Sequence, residues 1–484
     1  MSGGVQNNGL PAHWHWETIG EVARTQSGGT PDRHRSDYFG GNVRWVKSGE
    51  LRDGFVASTE ETLSQEGLAE SSAKLLPAGT LCIALYGATV GKVGIVTTDA
   101  ATNQAVCGIR VPDHVDTRFL FHYLIYVRPS LIQQRKGGAQ GNISNSLVRK
   151  TGFPCPPLDE QQRIVAKIEE LFSDLDAGVA ALERVQANLQ RYRASVLKAA
   201  VEGRLTQQWR AEHPDVEPAD QLLQRILRER REKWEQDQLA KYEAKGKKPP
   251  KNWKDKYKEP AAPNTERASI TLPKGWRVAS LEQVTDPTRV ICYGILKPKE
   301  HVPAGVPYVK VKDIIGDRID VDSLNRTAPE IAQKYERASL AASDILLAIR
   351  GTYGRVAPVP PELNGGNITQ DTARLAITRN VNPDYVELCL RSPLCQYYFQ
   401  RVARGVAVKG VNIGDVKPCP IALPPINEQR VIVEEVNKRL SVLDQASVTI
   451  NRDIARAPRL RQAILKRAFE GKLLSAETKT AASG

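Results

Sequence analysis

Long hydrophobic runs are missing from the sequence. The longest strongly apolar stretch, Phe119 to Val127, is well short of the roughly 18 residues that a membrane-spanning helix needs. The first 14 residues also lack the basic flank and apolar core of a secretion signal. We therefore expect a soluble, cytoplasmic protein with no membrane partner.

Paired cysteines are missing too. There are seven cysteines, an odd number, and none stands in a Cys-x-x-Cys arrangement. Disulfide frameworks and zinc sites both need matched spacings. His13 and His15, or Cys389 and Cys395, are too few to close a ligand set, so we expect reduced thiols and no metal site.

Catalytic motifs are not recognisable either. The turn Gly87–Lys92 has only three residues between its glycines, and Val93 stands where a phosphate-binding loop needs Ser or Thr. Asp215 with Glu243 and Lys245 superficially matches a metal-nuclease signature, but these residues fall in a charged helical stretch. None of the three Pro-Pro sequences fits the motif with which DNA amino-methyltransferases hold a base. The sequence thus favours a binding protein over an enzyme.

The composition is globular, with an excess of positive charge. The 484 residues predict about three folded units, and 41% hydrophobic with 25% charged residues exclude general disorder. Lysine and arginine total 68 against 55 acidic residues, a net charge of +13. A polyanion is a natural partner, although charge alone does not choose between nucleic acid, an acidic protein and a membrane surface.

An internal repeat is the main signal in the sequence. Leu10-Pro11 followed by Trp16 matches Leu272-Pro273 followed by Trp276. The closest match joins the Pro-Leu-Asp-Glu-Gln and Pro-Ile-Asn-Glu-Gln sequences at 157–165 and 425–433, and Glu-Gly pairs at Glu202 and Glu470 repeat it at the same offset of 268.

The constant offset means that the segment between the Glu-Gln and Glu-Gly pairs has one fixed length in both copies, as a rigid helix would. Apolar residues recur there at steps of three and four. We predict two helices of about 40 to 45 residues, roughly 65 Å long at 1.5 Å per residue. Helices of this length favour packing against each other as an antiparallel coiled coil rather than as ordinary core helices.

The regions before the two helices carry short β-rich runs separated by glycine and proline, typical of mixed α/β domains. The predicted fold class is therefore α/β (α+β), with two mixed domains, two long helices and an internal pseudo-two-fold repeat. The predicted segments are a first domain (1–157), a spacer helix (158–205), a charged helical connector (206–271), a second domain (272–424), a second spacer helix (425–474) and a disordered tail (475–484).

The connector is strongly basic. Between Arg225 and Lys258 there are 13 lysines and arginines against 6 acidic residues, and the stretch Ala219–Lys245 has a helical pattern. Two interpretations stay open, a solvated linker and a basic arm that touches phosphates or a partner subunit.

Glycine-rich loops with basic and amide side chains occur at corresponding places in both domains, at Arg135–Asn142 and at Arg401–Asn412. Arg, Lys, Gln and Asn are the side chains that read base edges in the DNA major groove, and glycine allows the backbone to approach closely. The pair of loops predicts a nucleic-acid-binding surface.

At this point the chain resembles a known family, the specificity subunits of type I restriction-modification systems. The resemblance rests on Gly28–Pro31, Trp45–Leu51, Gly91–Gly94 and the Glu-Gln junction at 157–165 with its second copy. It covers nearly the whole chain. The second domain departs from the pattern, because it lacks Gly-Gly-Thr-Pro and has Tyr308 and Lys312 in place of the tryptophan and glycine.

The resemblance implies a subunit that binds double-stranded DNA and has no catalytic site or cofactor of its own. It implies two copies of a methyltransferase (modification) subunit that uses S-adenosylmethionine, and restriction/translocase subunits that use ATP and magnesium. The two domains would read the halves of an asymmetric bipartite target, and helix length would set the unread gap between them.

From the loops and the framework we select candidate DNA contacts, with amides and arginines reading bases and lysines holding phosphates. The candidates in the first domain are Lys47, Arg52, Lys92, Lys136, Gln140, Asn142 and Asn145. The candidates in the second domain are Lys310, Lys312, Arg350, Tyr353, Arg355, Lys409 and Asn412. A non-catalytic coiled-coil adaptor with sequence-independent nucleic-acid binding is the alternative, and an autonomous nuclease or methyltransferase is a third.

Overall fold

Two units make up the structure, a computed structural model that describes residues 10–134, 142–267, 271–406 and 408–474. The first unit comprises the chain up to Arg184 and again from Ile450, and the second comprises Val185–Thr449. Each unit thus contains one mixed α/β domain and a part of each long helix.

The first unit places its strands in three sheets. The strands are β1 His15–Thr18, β2 Arg24–Ser27, β3 Phe39–Val46, β4 Gly54–Val56, β5 Thr62–Leu63, β6 Leu75–Leu76, β7 Leu81–Ala84, β8 Val93–Val96, β9 Ala100–Thr102, β10 Val106–Arg110 and β11 Gly152–Cys155. The helices before the first long helix are α1 Ile19–Val22, α2 Gln65–Ala69, α3 Thr117–Gln133 and α4 Asn145–Lys150.

The five-stranded sheet of the first unit has the order β2-β10-β7-β8-β4, and a four-stranded sheet has the order β5-β3-β9-β6. Strands β7 and β8 are buried along their whole length, which explains why they are uniformly apolar rather than alternating. Strand β1 pairs with β11, so the chain entering the domain lies beside the chain leaving it for the long helix.

The chain then forms the first long helix, α5 Leu158–Val201, followed by α6 Gln207–Glu212 and α7 Ala219–Glu243. Ala219, Leu222 and Ile226 of α7 are buried in the core of the second unit. The first part of the connector is therefore packed against the second domain rather than solvated.

The second unit has a matching set of strands. These are β12 Arg277–Ser280, β13 Cys292–Tyr293, β14 Val306–Val309, β15 Ile314–Ile315, β16 Arg318–Ile319, β17 Asn325–Thr327, β18 Ile345–Ala348, β19 Val356–Pro358, β20 Asn367–Ile368, β21 Thr372–Leu375 and β22 Pro420–Leu423. The helices are α8 Pro329–Lys334, α9 Pro383–Arg391, α10 Pro393–Val402, α11 Ile413–Val416 and the second long helix, α12 Ile426–Phe469.

The strand orders show the repeat directly. The sheet β13-β21-β18-β19 corresponds to β2-β10-β7-β8, the sheet β17-β14-β20 to β5-β3-β9, and the pair β12-β22 to β1-β11. A separate hairpin, β15-β16, occurs in the second unit.

The two long helices both have 44 residues, and their segments run antiparallel within each unit. Arg461 forms an ion pair with Asp176 in the first unit, and Arg193 with Asp444 in the second. Each of these ion pairs joins α5 to α12 inside one unit.

The Glu-Gln junction holds the start of each long helix to its domain. Gln161 is fully buried, and its side chain accepts a hydrogen bond from the Asp116 amide and donates to the carbonyls of His114 and Pro156. Gln429 likewise accepts from the Asn382 amide and donates to the Pro424 carbonyl. The repeated glutamine is thus explained by buried backbone groups that need partners.

The structure corrects one equivalence that the sequence predicts. Trp14, and not Trp16, corresponds to Trp276. Both Trp14 and Trp276 are buried, and their amides donate to the carbonyls of Pro11 and Pro273. Trp16 lies within β1 and is exposed. The comparison failed because the Leu-Pro to Trp spacing is the same in both copies only when it is counted to Trp14.

Candidate nucleic-acid interface

Two loops of the second unit meet each other. One is the hairpin turn between β18 and β19, and the other is the loop that precedes α11. The Val411 amide donates to the Ile349 carbonyl at 2.8 Å, and the Gly351 amide donates to the Lys409 carbonyl at 3.2 Å. Gly351 and Gly354 have φ of +69° and +85°, a backbone conformation that favours glycine. The glycines of this turn are therefore needed for its shape.

A cleft of about 840 Å³ opens between these loops. We call it the basic cleft. It is lined by Val311, Lys312, Arg350, Gly351, Thr352, Arg355, Asp371, Arg404, Val408, Gly410 and Asn412. Four of the seven residues predicted as DNA contacts in the second domain are among them, namely Lys312, Arg350, Arg355 and Asn412.

The basic side chains of the cleft differ in how firmly they are held. Arg355 donates to the Ile314 carbonyl at 2.9 Å, which fixes its guanidinium. Lys312 is 69% exposed and lies 3.7 Å from Asp313, and Arg404 lies 3.5 Å from Asp415. Arg350 is exposed. The cleft therefore combines one fixed guanidinium with cations that are accessible from solvent.

The chemistry of the lining fits the edges of base pairs. Arginine donors match guanine, the Asn412 amide matches adenine, and the exposed Val408 side chain can meet a thymine methyl group. Asp371 supplies a carboxylate, the group that accepts from the cytosine amino group.

The other three candidates of the second domain lie outside this lining. Tyr353 is half-buried and packs against the core of the unit. The Lys310 ammonium lies 5.3 Å from the centre of the Tyr308 ring. Lys409 is exposed and contributes its backbone carbonyl to the bond with Gly351.

The first unit has the same scaffold at the corresponding turn. The Ile143 amide donates to the Leu85 carbonyl at 2.8 Å, as Val411 does to Ile349. Thr89 donates from its hydroxyl to the Ser48 carbonyl at 2.7 Å. These two bonds bring the segments that contain Asn142, Lys92 and Lys47 to one turn, between β7 and β8.

The candidate side chains of the first unit differ in their exposure and in the partners that hold them. The Lys47 ammonium forms ion pairs with Glu60 and Glu61, and these hydrogen bonds raise its pKa. Asn145 accepts from Thr25 and donates to Ser27. Arg52 and Asn142 are exposed and Lys92 is half-buried. Lys136 and Gln140 lie outside the described residues.

Seven residues of the lining were not selected from the sequence, among them four with side chains that can contact a ligand, namely Thr352, Asp371, Arg404 and Val408. Arg404 and Val408 lie inside a loop that the sequence singled out, but only its Lys and Asn were selected. Thr352 belongs to the glycine turn. Asp371 precedes β21 and carries no signal in the sequence, because only the fold brings it beside the two loops.

The structure also shows where the residues of the discounted catalytic and metal motifs lie. Asp215 precedes α7 and Glu243 ends it, so a helix roughly 37 Å long at 1.5 Å per residue separates them. His13 bonds to Glu160 at the surface, and all seven cysteines are buried and free. Among the described residues no three His, Cys, Asp or Glu side chains cluster as metal ligands, and no helix there is long and apolar enough to span a membrane.

Comparison with known proteins defines the class. The family model "Type I restriction modification DNA specificity domain" matches residues 11–184 and 273–456, which is most of the chain, and the chain belongs to this family. It is 29% identical to the type I restriction enzyme EcoBI specificity subunit of Escherichia coli, over 77% of this chain and 69% of that protein. It is 22% identical to the EcoKI specificity subunit of E. coli strain K12, over 88% and 82%.

Solved structures give the same fold. A chain from a study of the assembly and conformational transition of the type I R-M system aligns with a TM-score of 0.67 and 20% identity, over 96% of this chain and 99% of that one. The HsdS subunit from Thermoanaerobacter tengcongensis aligns with a TM-score of 0.52 and 19% identity, over 96% and 98%. The α/β architecture with two domains and long helices is therefore the architecture of these structures.

Proposed function

We propose that this chain is the DNA sequence-recognition subunit of a type I restriction-modification complex. It binds an asymmetric bipartite target in double-stranded DNA, each mixed domain reads one part, and the complex works in the cytoplasm. The observation that carries the proposal is the same loop scaffold in both units, with the Ile143–Leu85 and Val411–Ile349 bonds, surrounded by different side chains.

The difference in side chains supports an asymmetric target. The basic cleft of the second unit presents Arg350, Arg355 and Arg404. Among the described residues, the corresponding turn of the first unit has the Asn145 amide, the ion-paired Lys47, and Arg128, which is held by the Gly91 carbonyl and Asp53. Two domains with different groups on a common scaffold would select different bases.

The long helices support binding to partner subunits. Val185 and Tyr192 of α5 and Val442 and Val448 of α12 are exposed, and exposed apolar side chains on one element mark protein contacts when they cluster. We infer that two methyltransferase subunits dock on the chain, and that restriction/translocase subunits join them. S-adenosylmethionine would belong to the former and ATP with magnesium to the latter.

The chain itself has a binding role in this proposal and no catalytic one. Two of the cysteines are poor candidates for nucleophiles, because burial raises the pKa of Cys82 and Cys107 to about 12 and leaves these thiols protonated at neutral pH. The side chains of the basic cleft offer hydrogen-bond donors (Lys312, Arg350, Arg355 and Arg404) and acceptors (Asp371, Asn412 and Thr352), as the recognition of base edges requires.

The test is selection from a random duplex library by the chain purified with its methyltransferase subunit. We expect a two-part asymmetric motif with a fixed gap, and two methyltransferase copies per chain by light scattering. The variant R350A should relax selection at one or two positions of one half only. Recovery of unrelated sequences from an intact complex would contradict the proposal and leave the sequence-independent adaptor.

A further inference from the structure

The second half of α7 and the chain that follows it form a basic hairpin, residues 231–258. It lies between the two matches to the family model, which end at residue 184 and resume at residue 273. The function proposed above does not use it. Helix α7 continues to Glu243, a turn at Gly246 has φ of +60°, and a short 3-10 turn follows at Trp253–Lys256.

Both ends of the basic hairpin are fixed to the second domain. Arg230, just before it, donates to the carbonyls of Glu282 and Thr285 at 3.0 and 2.7 Å. Just after it, the Ala261 amide donates to the Glu282 carboxylate at 2.8 Å, and the Asn264 amide to the Pro418 carbonyl at 2.9 Å. The hairpin therefore projects from two anchored points of one domain.

Aromatic side chains hold the two arms of the hairpin together. The Trp234 and Trp253 rings stack with their centres 5.9 Å apart, and Tyr257 meets Trp234 edge to face at 5.3 Å. The Arg231 guanidinium lies 5.4 Å from the Tyr257 ring, and Lys254 pairs with Glu235 at 2.8 Å. Since interactions of this kind add to the burial of the rings, the returning chain is packed on the helix.

The tip of the basic hairpin carries the unbalanced charge. Residues 241–251 contain five lysines and a single acidic residue. The five are all exposed, and the structure, which describes this whole hairpin, gives none of them an ion pair. They are Lys241, Lys245, Lys247, Lys248 and Lys251. The paired lysines, Lys233 and Lys254, lie nearer the base.

The composition of the tip favours a phosphate backbone over a protein surface. Lysine is depleted at protein interfaces, where buried aromatic anchors dominate. The aromatic rings of this hairpin pack against each other and are not available as anchors for a partner. Leu239 is its one large exposed apolar side chain. Lysine supplies a point charge suited to phosphate, with no need for a fixed base edge.

We propose that the basic hairpin is a clamp for the phosphate backbone of duplex DNA, acting without regard to sequence and in addition to the loops that read bases. The inference rests on the proposed function, because it supposes that the chain is held on DNA. The clamp would raise affinity for target and non-target duplex by the same factor.

The test compares the complex of the full chain and its methyltransferase subunit with a variant in which all five tip lysines are replaced, K241Q/K245Q/K247Q/K248Q/K251Q. The matched control replaces the same five by arginine, which keeps the charge. Dissociation constants are measured for a selected target duplex and a scrambled duplex over a range of salt concentrations. Thermal unfolding checks that both variants fold, since exposed lysines without partners contribute little to stability.

We expect the glutamine variant to bind both duplexes at least tenfold more weakly at low salt. The salt slope should fall by about 2 to 4.5, on the order of 0.9 for each phosphate that the variant no longer neutralises. The selected motif should not change, and the arginine variant should behave as the unmodified protein.

An unchanged salt slope with normal folding would overturn the clamp. Loss of methyltransferase binding with an unchanged slope would also overturn it and would identify an acidic protein partner. If the unmodified complex selects no motif, the proposed function is wrong. The clamp can still be tested in that case, by comparing the salt dependence of binding to any duplex between the unmodified complex and the glutamine variant.

Discussion

Glu160 and Glu428 occupy the same position in the two copies of the Glu-Gln junction, but their surroundings differ. Glu428 is completely buried and accepts hydrogen bonds from Trp276, Thr206 and Arg210. The side chain of Glu160 is 17% exposed and bonds to His13 at 2.7 Å. The Trp14 ring nitrogen, buried in the first unit, has no hydrogen-bond partner.

The different surroundings predict different costs of mutation. E428A should lower the free energy of unfolding of the second unit by about 3–5 kcal/mol, because it removes the carboxylate that neutralises Arg210, which keeps only its bonds to Gly203 and Thr206, and leaves the Trp276 donor without an acceptor. E160A, the matched change in the first unit, should cost less than about 1 kcal/mol. Urea denaturation followed by tryptophan fluorescence measures both, and equal losses would show that the burial of Glu428 does not matter.

Lys47 of the first domain and Lys312 of the second form a further pair of candidates to compare, at positions that do not correspond, since Lys310 is the counterpart of Lys47. The Lys312 ammonium is 69% exposed with one carboxylate at 3.7 Å, whereas the Lys47 side chain is 24% exposed and contacts two carboxylates within 2.9 Å. K312A should reduce the salt slope of DNA binding by about 0.9, the effect of one neutralised phosphate. K47A should reduce it less, because Lys47 must first leave Glu60 and Glu61.

Fluorescence anisotropy on one target duplex at several salt concentrations compares the two variants. A larger effect of K47A would mean that its acidic partners release it on binding. The sequence predicts both lysines as DNA contacts without distinguishing them, since no sequence pattern indicates that Glu60 and Glu61 lie beside Lys47. Side-chain pairing of this kind depends on the register of β3 with β5, which a single sequence does not reveal.

At the scale of elements, α3 is joined to α5 through a buried histidine. His122 faces Glu169, with Arg118 paired to the same carboxylate, and its ring packs edge to face on Phe172. Its other ring nitrogen, Nδ1, is buried without a partner. Burial lowers the pKa of His122 below its usual 6.5, although the hydrogen bond to Glu169 acts in the opposite direction.

The burial of His122 predicts a loss of stability in acid. Between the lowered pKa in the folded state and about 6.5 in the unfolded state, the unfolded chain binds more protons, so the free energy of unfolding falls as pH drops below about 6.5. The variant H122F removes the titration and keeps the ring packing. Denaturant unfolding from about pH 7.5 to about pH 5.5 should show a smaller loss for H122F than for the unmodified protein. Parallel profiles would contradict the assignment.

Long periodic elements could be predicted from the sequence, and their surroundings could not. The steps of three and four predicted two helices of about 40 to 45 residues, and α5 and α12 each have 44. Such a helix can be predicted because one face is buried and the other is in solvent, so that its apolar residues follow the helical period. Short β-rich runs were also predicted in both domains, and the apolar strands β7 and β18, which are buried along their whole length, are among them. The burial of Leu222 and Ile226 was not predicted, since the charge of the connector hides a short apolar face that only the second domain covers.

At the scale of the whole molecule, the ion pair between the long helices in each unit permits a test with matched insertions. Four residues added to α5 between Asp176 and Arg193 would lengthen the spacing between the two pairs along α5 alone. Four more added to α12 between Asp444 and Arg461 would make the two spacings equal again. Four residues lengthen a helix by about 6 Å, close to two base pairs at 3.4 Å each.

The double insertion should therefore lengthen the unread gap of the selected target by about two base pairs and leave both half-motifs unchanged. The single insertion in α5 should lower the melting temperature, because one of the two ion pairs must break. Selection from a random duplex library and thermal unfolding provide the two readouts. An unchanged gap in a stable double variant would show that helix length does not set it.

Part of the core of the first unit is synthesised much later than the rest. Phe469 packs on Phe119, Tyr123 and Tyr126, yet the ribosome makes it about 350 residues after Phe119, or roughly 20 to 70 seconds later. During that interval the aromatic face of α3 lacks the helix that covers it in the folded chain. A polypeptide released before its last helix would expose that face to chaperones and proteases, so only a chain whose synthesis has passed the second domain can complete the first.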